Sequence, residues 1–188
     1  MSADGLDQVR GLMAVLMQGE STGDEDAVLL RWDRGWAALE AAVPEGAVRP
    51  RVFVEEWAEP PMAAGAWVPD LVRRAGGEPF VAPPGTSDLA VSWEEVLEFD
   101  PQLVLLAVRG QGLQLAPESW MTIEGWNRVE AAAEGRVLSV DDSLLLRPTL
   151  RLLDGATLLQ ALIGEAFWGW KSVHHPGIRR LDKGKRDN

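Results

Sequence analysis

Residues 103–108, LVLLAV, set the tightest limit on the fold, because six apolar residues in succession leave a strand no face to turn towards water. Such a strand belongs inside a parallel sheet with helices on both sides. Shorter apolar runs at 52–54, 80–82 and 137–140 alternate with segments of helical pattern. Strand and helix alternating four times predict an α/β domain with right-handed crossovers. Ligands of such sheets gather at the carboxyl ends of the strands. The loops leaving those ends span 55–67, 109–117 and 141–148.

Helices are expected at 6–17, from Thr22 onward, at 68–75, from Ser92, at about 118–134 and at 149–163. Thr22 with Glu25 and Ser92 with Glu95 have capping-box spacing. Pro69 is tolerated in a first helical turn, and Gly76-Gly77 suits a helix end. In the second helix Leu29, Trp32, Trp36, Leu39 and Val43 recur at steps of three and four, which makes one apolar stripe that something must cover.

The chain has 188 residues, the size of one domain. We divide it into a helical segment at 1–48, an α/β lobe at 49–165 and a basic tail at 166–188 that is expected to be disordered. That tail carries six Lys or Arg against two Asp, so a chain of net charge −11 has a body at −15. An acidic body repels phosphate backbones, and nucleic acid is not an expected partner. There is no cysteine, which removes disulfides and thiolate chemistry and leaves the compartment open. Residues 1–18 show no basic n-region, apolar h-region or small-residue cleavage site. As written the chain is expected in the cytoplasm, and in the periplasm or outside the cell if its true start lies upstream.

Glu56-Trp57, Pro60, Gly65-Ala66-Trp67-Val68-Pro69-Asp70-Leu71 and Ala75-Gly76-Gly77 follow one another, before Ser92-Trp93-Glu94-Glu95-Val96 and Asp100-Pro101. The ordered set resembles the second lobe of the cobalamin-binding branch of the helical-backbone, class III substrate-binding proteins of ABC transporters. The resemblance implies a Rossmann-like, three-layer α/β lobe with a mainly parallel sheet of about four strands, preceded by the long helix that joins two lobes in the family. On this resemblance the chain is expected to start at that joining helix, without residues for the first lobe. The resemblance further implies a non-enzymatic binding protein whose ligand is a corrinoid, a haem or a ferric siderophore, with no certain cofactor of its own.

The candidate ligand-binding residues are Glu56, Trp57, Met62, Trp67, Asp88, Arg109, Gln111 and Ser143. Trp57, Met62 and Trp67 offer aromatic and thioether surface to a planar ligand; alternatively the two Trp pack on each other to stiffen the loop. Glu56 and Asp88 correspond to aromatic contacts in the family and are not aromatic here. Where the family branch often reads P-C-G-F, this chain has Val108-Arg109-Gly110-Gln111. An arginine at a strand end either forks onto a ligand acid or pairs with a local carboxylate. Arg147 and Arg151 are expected to pair with Asp141 and Asp142 and so fix the loop that holds Ser143.

In the family a glutamate at the position of Glu94 docks on the transporter's membrane subunit, although acids in a first helical turn need no partner to be stable. The Trp32 and Trp36 stripe is covered by this lobe, by a second copy in a homodimer, or by a separately encoded first lobe. His174-His175 lacks companion ligands for a metal. No acyl-transfer constellation is visible.

Overall fold

A computed structural model describes residues 5–17, 25–59, 61–81 and 90–180. Helices α1 (Gly5–Met17) and α2 (Glu25–Ala41) precede strand β1 (Arg51–Ala58), its hairpin partner β2 (Pro61–Ala63), α3 (Val68–Arg74) and the short β3 (Glu78–Pro79). Then come α4 (Trp93–Phe99), β4 (Leu103–Leu106), α5 (Glu130–Ala133), β5 (Val137–Val140), α6 (Leu152–Phe167) and β6 (Ile178–Arg180). The sheet runs β2-β1-β4-β5-β6, with β3 paired to the start of β1. Strands β3, β1, β4 and β5 are parallel, as expected, and two antiparallel edge strands, β2 and β6, extend them.

Period-two alternation sorts the strands into two cores. Val52, Val54, Leu103, Leu105, Leu138 and Val140 face α1, α2, α3 and α6. Phe53, Val104, Leu106 and Val137 face α4, α5 and the 3-10 turn Pro117–Thr122. The result is the predicted three-layer lobe. Among the described residues no helix is long and apolar enough to cross a membrane.

The stripe of α2 is covered by its own chain. Trp32 and Trp36 are 5% and 3% exposed and lie in the first core. Gly35 lets α6 come close, since a Cβ there would stand 2.2 Å from Leu153 Cδ2. Gln160 Nε2 donates to the Leu39 carbonyl at 2.7 Å. Candidates for partner docking by sequence, these two rings are core residues.

Three expectations need correction. The helix expected at 118–134 is instead two 3-10 turns, Pro117–Thr122 and Trp126–Arg128, followed by the single turn of α5. Gly125 breaks it at φ 80°, a conformation that no residue adopts inside a right-handed helix. The strand expected at 80–82 pairs two residues earlier, as β3. The tail expected to be disordered packs as far as Arg180: Trp168 Nε1 donates to the Val48 carbonyl at 2.9 Å, and β6 joins β5. The Ser92–Glu95 box forms as expected, while Thr22 lies outside the described residues.

Gly155 shows how closely α6 sits on the loop after β5. A Cβ there would stand 2.0 Å from the backbone oxygen of Leu144. Alanine gains about 1 kcal/mol of helix propensity over glycine, but overpacking against backbone costs about 1–3 kcal/mol or more. Gly155→Ala is expected to lower stability by a net ~1–2 kcal/mol. Gly11→Ala in α1, with nothing within 4 Å of its Cβ, is expected to raise it. Urea midpoints of the two variants against the parent check both signs.

Candidate functional site

The carboxyl ends of β1 and β4 carry the candidate site. The β1–β2 register shifts between Glu55 and Trp57, a bulge that re-aims the strand end. Backbone bonds Ala107 N–Glu55 O at 2.9 Å and Arg109 N–Glu56 O at 3.2 Å continue the β1–β4 pairing past the last regular pair. Arg109 therefore leaves the sheet beside Glu56, and its Nε donates to Glu56 Oε1 at 2.5 Å. Only this nitrogen of the guanidinium is engaged among the described residues, and half of the side chain is exposed.

Trp57 stands next to this pair with 45% of its surface exposed, and its indole Nε1 donates to the Glu59 carbonyl. Trp57, Arg109 and Gln111 line one pocket of about 340 Å³, together with Ala58, Glu59 and Val108. Met62 is opposite Trp57 in the hairpin register. The structure thus brings together Glu56, Trp57, Met62, Arg109 and Gln111.

Trp67 and Ser143 belong to the neighbouring strand end. Trp67 does not pack on Trp57; its Nε1 donates to the Leu145 carbonyl at 2.8 Å, tying the loop before α3 to the loop after β5. Ser143 Oγ accepts from Arg151 Nη1 at 2.9 Å. Of the expected ion pairs in this loop, Arg147 and Asp142 approach to 3.6 Å. The Asp141 carboxyl is held below its ordinary range, first by the Ser143 side chain, then by the Ser143 N–H and by the charges of Arg151 and Arg147. Glu94 is exposed in the first turn of α4. Asp88 lies outside the described residues. His175 Nδ1 accepts from the Gly177 N–H, and among the described residues no three His, Asp or Glu gather as a metal site.

One functional candidate was missed from sequence. Glu55 points to the same sheet face as Phe53 and is 2% exposed. Its Oε2 accepts from Trp120 Nε1 at 3.0 Å. Burial pushes its carboxyl up to about 7, against the smaller opposing effect of the Trp120 bond. It borders a second pocket of about 360 Å³, whose walls include Trp93, Leu115, Trp120 and Ile123. The two pockets meet at Ala58 and Glu59. The signal was present in Val-Phe-Val-Glu-Glu-Trp: alternation puts one of two adjacent glutamates on a buried face.

Solved structures share this fold. The chain superposes on a periplasmic haem-binding protein from Pseudomonas aeruginosa with a TM-score of 0.72 at 21% identity, covering 95% of this chain and 66% of that one. For the periplasmic vitamin B12-binding protein BtuF of Vibrio cholerae the values are 0.68 and 18%, with 86% and 62% covered. For an ABC-type Fe3+-hydroxamate transport protein from Saccharomonospora viridis they are 0.71 and 21%, with 86% and 57% covered. The chain therefore spans less than two-thirds of each, as one lobe does. No curated protein matches it. Residues 21–144 match the periplasmic binding protein family, well over half of the 188 residues, and the chain belongs to this family.

Proposed function

We propose that the chain is a non-enzymatic carrier lobe that takes a ligand of the haem, corrinoid or ferric-siderophore type on the Trp57–Arg109 face. The observation that carries this is the exposed Trp57 ring beside a guanidinium with two nitrogens unengaged among the described residues, in one pocket at the carboxyl end of the central strands. An indole supplies stacking area, and a guanidinium fork recognises carboxylates. By their descriptions, two solved neighbours bind haem and vitamin B12, and a third belongs to an Fe3+-hydroxamate transport system. Glu94, exposed in the first turn of α4, is our candidate for docking on a transporter membrane subunit.

Two lobes that together supply about −11 kcal/mol leave a single lobe with half, which is a Kd near 0.1 mM. Titrating the chain with haem, cobalamin and a ferric hydroxamate, following Trp emission with inner-filter controls, is expected to give saturable quenching near that value for one of them. Trp57→Ala and Arg109→Ala should each weaken it about tenfold, the loss of ~1.4 kcal/mol. A Kd below about 10 µM with a dimeric mass by light scattering would mean that two copies form the cleft. Absence of quenching by all three ligands at millimolar concentration would overturn the proposal.

A further inference from the structure

The pocket beside Glu55 has a chemistry of its own. Glu55 closes the buried run of β1 as its one charged member and sits across from Leu106 of β4. One carboxylate oxygen is bonded to Trp120; the other has no partner among the described residues, although the residue is 98% buried. A largely buried carboxyl whose second oxygen opens onto a pocket can take a donor or pair with a cation there.

The walls narrow the answer. The Trp93 and Trp120 rings meet edge to face, with centroids 5.1 Å apart at 90°, and form a corner in which one ring presents its face. Aromatic faces attract cations. Leu115 and Ile123 supply apolar surface, and Glu59 adds a second carboxylate. Among the described residues no Lys, Arg or His lines this pocket, and the Arg109 guanidinium, held through Nε by Glu56, lines the adjoining one. Anions are therefore disfavoured. A bare metal ion lacks ligands, because no group of three acidic or imidazole side chains occurs among the described residues. The volume of about 360 Å³ is at the small end of ligand pockets, which run from about 300 to 1,000 Å³.

We propose that this pocket binds a small primary organic ammonium ion with an apolar body, its head donating to Glu55 and Glu59 and its body lying against Trp93 and Trp120. The inference does not rest on the tetrapyrrole or siderophore reading, which concerns the other side of Ala58 and Glu59. It predicts a proton coupling, because burial holds Glu55 near 7 in the empty pocket and the ammonium binds the ionised form.

Calorimetric titration of the full chain with benzylammonium, and with benzyl alcohol as a neutral match of the same shape, tests this at pH 6 and pH 8. Benzylammonium should bind at least tenfold tighter than the alcohol at pH 8. Its affinity should rise about tenfold from pH 6 to 8, as the ionised fraction of Glu55 grows from about a tenth to nine-tenths. Glu55→Gln should weaken binding at least tenfold and abolish the pH response. Trp93→Ala should weaken binding and keep that response. The pH response of the parent chain needs no variant, so the test survives if Glu55→Gln misfolds. Equal binding of alcohol and amine, or an amine affinity that does not change between pH 6 and 8, would overturn the proposal. Absence of haem, cobalamin or siderophore binding bears only on the Trp57–Arg109 face.

Discussion

Trp36→Ala is expected to destabilise the chain by about 3–5 kcal/mol, the usual loss when a large buried aromatic is truncated to alanine. Trp36 is 3% exposed, meets Trp32 edge-on at 5.6 Å and has the Arg74 guanidinium 5.6 Å above its ring. A domain of this kind has about 5–15 kcal/mol in all, so the variant should lose roughly a fifth or more of its stability. Its Tm should fall by roughly 10 °C, at about 2–4 °C per kcal/mol. Trp36→Phe should cost far less. It keeps most of the ring, and it removes an indole N–H that is buried without a partner among the described residues, a liability of about 1–3 kcal/mol. Urea unfolding of both variants at equal, low protein concentration decides the matter. If Trp36→Ala lost under 1 kcal/mol, the α2 stripe would not be covered by α6 in solution, and the case for a partner on that face would reopen.

Sequence legibility followed locality. The parallel core was readable because 103–108 admits one environment, and the Ser92–Glu95 box because its bonds span three residues. What covers Trp32 and Trp36 was not readable, since α6 lies more than a hundred positions away along the chain. The tail misled for the same reason. Its basic residues look solvated in isolation, but Arg180 reaches Glu165 at 2.7 Å and Trp168 covers Gly76. In the candidate site, Glu56 and Arg109 were readable as residues, and their pairing became visible only when β1 and β4 were placed side by side. Glu55 escaped because a glutamate is read by default as solvent-facing, and its partner Trp120 arrives from a turn that had been assigned to a longer helix.

Glu55 should also leave a mark on stability as pH changes. Its folded-state pKa is raised to about 7 from an ordinary 4.5. Below pH 4.5 both states are protonated and the buried neutral carboxyl is tolerated. Between 4.5 and 7 the unfolded chain releases the proton and the folded chain does not, so stability falls as pH rises through that window and the loss is complete above 7. At ~1.4 kcal/mol per unit the loss is about 3 kcal/mol. Asp33, held down by Arg10, and Asp141, held down by Ser143, act with the opposite sign and lose their contribution as pH falls. The effect of Glu55 is therefore isolated by difference. Unfolding free energies of Glu55→Gln minus those of the parent should rise by about 3 kcal/mol from pH 4.5 to 8, because the amide keeps the acceptor for Trp120 and never ionises. A flat difference would mean that the carboxylate is solvated or paired when ionised, and that it has no unmet demand for a cation. A rising one would show a group that weakens the fold at neutral pH, and a bound ammonium ion would recover that energy by pairing with it.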